Sequence, residues 1–178
     1  MERRLFLHTL GACAVATSPF VMAAPDPSAK VQSLSDALRW LDQLQQAPGI
    51  KTTGAWPLVA ILEHMAQSIE MSMQGFPQPK SALFQNTLGT AAFTVFKWRG
   101  AMNHSLSEPI PGAAVLTTTG AWQSTAGRLQ KAIEAFNASK EPLKPHFAHG
   151  KLSKADFALA HTLHIANHQD EIAINQLA

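Results

Sequence analysis

Leucine recurs at Leu34, Leu38, Leu41 and Leu44, every third or fourth position. That spacing lays one apolar stripe along an α-helix. Ser33 with Asp36 three residues on has capping-box spacing for its start, and Gly49 ends the region. A second helix is predicted through "LVAILEHMAQSIEMSMQ". Pro57 stands in its first turn, where a missing N–H costs nothing, and Gly75 stops it before Pro77 and Pro79. "SALFQNTLGTAAFTVFKW" is also helix-like, although Gly89 and the β-branched residues weaken the pattern. From Gly100 to about Thr118 the chain is irregular, and the prolines and glycine of "EPIPGA" exclude helix there. A further helix carries Trp122, Leu129, Ile133 and Phe136 on one stripe and fades at Ser139, before Pro142 and Pro145. The last helix opens at Ser153, with Asp156 as its capping partner, and is predicted to run nearly to the end of the chain. No segment sustains a period of two, and "AAVLTTT" is at most one short strand. The pattern therefore predicts an all-α protein, a four-helix bundle with an extra helix at its side.

At 178 residues the chain has room for one domain with a real core. Only 15% of residues are charged and the net charge is +2, so nothing points to nucleic acid as a partner.

The first residues, "MERRLFLHTLGACAVATSPFVMAA", have two arginines, an apolar run and then small residues. The run is too short and too rich in small residues for a membrane span, so an export signal is expected over residues 1–23, with the domain over 24–178. Val21-Met22-Ala23 offers a small–x–small site for cleavage after Ala23. Arg3, Arg4, Phe6 and Leu7 resemble a twin-arginine signal, which would export the folded protein to the periplasm, although Glu2 replaces the usual Ser or Thr. An ordinary secretory signal with two arginines is the alternative. "LGAC", ending at Cys13, resembles a lipoprotein box, but the apolar stretch before it is short and continues past it. Cleavage after Ala23 leaves no stable membrane span.

Cys13 is the only cysteine, so a chain cut after Ala23 has no thiolate. Tyrosine is absent as well. A transition-metal site would have to be built from imidazole and carboxylate. The last helix supplies imidazoles in "HTLHIANHQDEI". At 100° per residue, His161, His164 and His168 fall within roughly 60° of arc, on the face shared by Phe157, Ile165 and Ile172. His164 and His168 are four apart, so both can reach one ion. His64, in the middle of the second helix, is the candidate third ligand, although it sits on the flank of the stripe of Leu58, Ile61, Leu62, Met65 and Ile69. A buried cluster of hydrogen-bonded histidines is the competing reading. His146 and His149 in "PHFAHG" could cover the metal end or supply acid–base chemistry, but a turn closed by Gly150 is the simpler expectation. Met71 and Met73 are expected to pack rather than ligate copper.

Taken in order, "LEHMAQSIEMSMQGFP", "PIPGA", "PHFAHGKLS" and "HTLHIANHQDEI" resemble an uncharacterised bacterial exported family within the DinB/YfiT-like metalloenzyme superfamily. The resemblance covers most of the chain after the signal. It implies a four-helix bundle holding a divalent ion (nickel, zinc, iron or manganese) on His64, His164 and His168. His161 is then a pocket residue or a buried structural one. Glu171 stands where a glutamine is common, and Asn167 replaces the first histidine of a frequent His-His pair. Relatives include thiol-dependent transferases and isomerases, and homodimers are common among such bundles. The expectation is an exported metal-dependent hydrolase or thiol-dependent transferase acting on a small molecule. The alternative is a non-catalytic metal-binding or interaction scaffold.

Overall fold

The computed structural model describes residues 29–175. The expected signal, with Arg3, Arg4, Cys13 and Ala23, lies outside the described residues. What is described is mostly helical, of the all-α class, with one small two-stranded sheet.

Helix α1 spans Leu34–Gln46. The Ser33 hydroxyl accepts from the Asp36 N–H at 3.1 Å, and the Asp36 carboxylate accepts from the Gln32 N–H at 3.1 Å, so the cap forms as its spacing predicts. Helix α2 spans Leu58–Gln74, with Pro57 at its N-cap and Gly75 ending it. A single turn, α3 (Ala82–Phe84), runs through a π-helical segment, Gln85–Gly89, into α4 (Thr90–Arg99). Helix α5 spans Trp122–Ala138, and α6 spans Lys154–Gln169 behind its Ser153 cap, whose hydroxyl accepts from the Asp156 N–H.

Helix α2 packs on both α5 and α6, and α1 packs on the same two helices. The core they enclose includes Leu41, Leu44, Ile61, Leu62, Met65, Leu129, Ile133, Phe136 and Phe157. With neighbours on several sides, α2 buries twelve of its seventeen residues, so a flank position on a helical wheel is an interior position here. Arg128 of α5 clamps α2 from outside, reaching Glu70 at 2.7 and 2.9 Å and Glu63 at 2.9 Å. Met71 and Met73 pack against the core, as expected. Among the described residues no helix is long and apolar enough to cross a membrane.

One open possibility and one expectation are not met. Residues 113–119 are not a strand; their backbone is held to α2 instead, where Gln67 donates to the Ala114 carbonyl and Glu63 accepts from the Thr117 N–H. The last helix stops at Gln169 instead of running on. The chain turns at Asp170 and Glu171, and strand β2 (Ile172–Asn175) pairs antiparallel with β1 (Gly49–Thr52), Ile50 opposite Ile174. Each strand is four residues long, too short for a visible period, and each needs the other for its backbone hydrogen bonds.

Candidate metal centre

The β1–β2 ladder brings together two segments that the site needs. One is the loop from Thr53 to Trp56, whose Thr53 N–H donates to the Glu171 carbonyl at 2.9 Å. The other is Glu171 itself, set one turn beyond His168. Glu171 fits because residue 54 is glycine: a Cβ there would lie 1.8 Å from Glu171 Oε2.

Helix α2 supplies His64, and α6 supplies His164 and His168. All three are buried, at 3%, 8% and 0% exposure, and one ring nitrogen from each lies within 4.8 Å of those of the other two. His64 Nε2 and His164 Nε2 are 3.1 Å apart. The Nδ1–H of His168 donates to Glu171 Oε1 at 2.7 Å, which fixes its tautomer and leaves Nε2 with a lone pair. That Nε2 is buried and has no hydrogen-bond partner, and His64 Nδ1 has none either. Burial lowers the pKa of all three. His64 falls to about 4, with the nearby His104 helping. His168 falls to about 3, with His64 and His104 adding to the effect of burial. His164 falls well below the usual value for the same reasons. Burial in turn raises Glu171. The imidazoles are therefore neutral at pH 7, so the contact between His168 and Glu171 is a hydrogen bond rather than an ion pair. Neutral imidazole is the form that binds metal.

This donor set fits a divalent ion. Three neutral imidazoles converge, one with an unpartnered lone pair and a carboxylate behind it. Such a set suits zinc, nickel or iron, and the described residues contain no cysteine to add thiolate. On one side the centre is covered by Trp56, whose ring stacks on His168 at 6.3 Å and meets His64 edge-on at 5.1 Å. On the other side His64 and His164 open onto a cavity of about 280 Å3.

The remaining histidines among the described residues line that cavity. His161, 2% exposed, lies edge-to-face on Phe136 at 5.1 Å, and its Nε2 has no partner. His146 and His149 do not reach the triad. They stack on each other at 4.5 Å in the turn that precedes α6, which Gly150 does close, through a bridge to His146. The turn expected from sequence is thus present, and it forms a cavity wall as well. His149 Nδ1 donates to the Gly89 carbonyl at 2.8 Å, docking the π-helical segment on the turn. Glycine is required at 89, since a Cβ would come 1.9 Å from the Ala148 carbonyl oxygen.

Two residues at the centre carry no signal in the sequence. His104, on the irregular stretch, brings its ring to 5.1 Å from His164 and 5.8 Å from His168. Its Nδ1 donates to the Ser105 carbonyl at 2.7 Å. Trp56 sits in the loop between β1 and α2. Both stand in segments without periodicity, where nothing local tells which way a side chain points.

Compared with known protein families, residues 26–175 match the family described as "Protein of unknown function (DUF1569)". No curated protein and no solved structure matches the chain.

Proposed function

The chain belongs to the DUF1569 family, and on that premise we propose that it is an exported, divalent-metal-dependent enzyme, a hydrolase or thiol-dependent transferase acting on a small molecule. His64, His164 and His168 hold the ion, and Glu171 orients His168. The four long helices α1, α2, α5 and α6 form a DinB-like four-helix bundle around the site, with the 82–99 segment as the side helix. Export follows the twin-arginine route to the periplasm, with cleavage after Ala23.

One observation carries the metal assignment: the buried, unpartnered Nε2 of His168, its Nδ1 already committed to Glu171, beside the paired nitrogens of His64 and His164. A buried polar atom without a partner costs about 1–3 kcal/mol, and an ion bound to it removes that cost. Bound there, a divalent ion supplies a Lewis acid for a carbonyl or an acidified water or thiol. The chain's own residues do the rest. Burial keeps the ligands unprotonated, Glu171 holds one ring in place, and Trp56 excludes water from the side away from the cavity. A non-catalytic metal scaffold is the second reading. The opening of His64 and His164 onto a cavity favours catalysis, because purely structural zinc sites are closed by four protein ligands.

Metal content tests the proposal. The protein, expressed with its own signal and purified without tags or chelators, should carry about one divalent ion per chain by elemental mass spectrometry. A His164→Ala, His168→Ala double variant should carry none. Absence of metal from the native protein, even after reconstitution with nickel, zinc, iron and manganese, would sink the assignment and leave a hydrogen-bonded histidine core.

A further inference from the structure

The cavity beside the triad has mostly apolar walls, interrupted by six histidines, Ser68 and Glu108. Phe84, Leu88, Ala92 and Phe96 face it from the 82–99 segment, and Met102 and Ile110 from the loop that follows. No lysine or arginine lines it, and Glu108 is its one charged residue. A multiply charged ligand would lose its hydration there without a fixed cation in return. About 280 Å3 admits a small molecule, just under the usual range for ligand pockets. Leu88, 66% exposed while lining the space, marks an opening to solvent.

One residue of this wall, His161, carries a polar atom that is unexplained. His161 Nε2 is buried and has no hydrogen-bond partner, although the ring is packed between Phe136 and Phe157. It lies one turn of α6 before His164, roughly 4.5 Å along the helix axis. The triad does not use it.

We propose that the cavity is the binding site for a small, apolar-bodied molecule of low charge, one end of which faces the metal centre, and that the His161 imidazole orients this molecule by hydrogen bonding to a hydroxyl or carbonyl group on its body. The inference rests on the metal assignment above for the end facing the triad. The ligand has two polar ends joined by a short carbon chain or ring; sugar phosphates and nucleotides are excluded by charge. His161 is a binding residue here, in contact with the ligand rather than with the ion.

The test uses the full chain loaded with cobalt(II) and three thiol probes, their affinities read from the sulfur-to-cobalt charge-transfer band. The probes are 2-mercaptoethanol, 4-mercapto-1-butanol and 1-pentanethiol, the last two equal in heavy-atom count. Two further CH2 groups should make 4-mercapto-1-butanol bind about tenfold tighter than 2-mercaptoethanol. Ala92→Trp, which fills the cavity from the 82–99 segment, should abolish that advantage without changing cobalt content. His161→Leu should weaken 4-mercapto-1-butanol relative to 1-pentanethiol by about fivefold, the scale of one hydrogen bond, and His161→Gln should retain most of the preference. If His161→Leu does not fold, the Gln and Ala92→Trp variants carry the test. Cobalt bound with equal affinities for the short and long probes overturns this inference and leaves the metal site standing. Failure to bind cobalt overturns both.

Discussion

The His168 ring has one nitrogen given to Glu171 and the other without a partner, so Glu171 decides which nitrogen faces His64 and His164. Glu171→Ala should lower metal affinity by about 10- to 100-fold, the usual effect of losing an outer hydrogen bond on a ligating histidine. Competition with a chromophoric chelator measures it. Gly54→Ala should act in the same direction from a residue that touches no ligand, because its Cβ would occupy the place of Glu171 Oε2. A Gly54→Ala protein with wild-type affinity would show that Glu171 can hold His168 from another rotamer. At this scale the sequence is informative about α6 alone. The i, i+4 spacing of His164 and His168 is a helical fact and survives in the structure. His64 reads from the sequence as a flank residue, and it becomes interior because α2 is covered by two helices and by Trp56.

Elements divide by length. The long helices α1, α2, α5 and α6 form in the segments where the pattern puts them, with α1 and α6 capped by Ser33 and Ser153, since an amphipathic helix carries its own period. The sheet is illegible because β1 and β2 are four residues each and 119 positions separate Thr52 from Glu171, the residue that precedes β2. Between these cases lies the 82–99 segment, where Gly89 weakens the helical pattern for a tertiary reason: it lets the π-helical segment approach the 146–150 turn. Gly89→Ala should cost about 1–3 kcal/mol, as overpacked sites do. The expected observation is a lower urea midpoint with an unchanged slope. An unchanged midpoint would show that the turn yields freely.

For the whole molecule, pH is the informative variable. His64, His161 and His168 have folded values of about 4, 3 and 3, against 6.5 for an exposed histidine. Between pH 6.5 and those values the unfolded chain binds more protons than the folded one. Stability is therefore complete above about pH 6.5 and falls as pH drops, by up to about 1.4 kcal/mol per pH unit for each of these groups. Thermal midpoints of the metal-free protein at pH 7, 6 and 5 should fall progressively, and a flat profile would contradict the burial of these rings. A bound ion should raise the midpoint at pH 7 and lose that effect as the ligands protonate. The proposed export belongs to this scale as well. Arg3→Lys together with Arg4→Lys should trap the precursor in the cytoplasm, and a processed periplasmic product from that variant would point to the ordinary secretory route.

The sequence by itself determined the helical class, the positions of the long helices and the pairing of His164 with His168, because each of these is a repeat or a spacing within one segment. Tertiary structure decided what surrounds that pair. The approach of His64, the Glu171 contact, the Trp56 cover, the place of His104 and the cavity that ends at His161 all join segments far apart in the chain. Such contacts depend on how helices pack and where irregular backbone is held, and no local period encodes either.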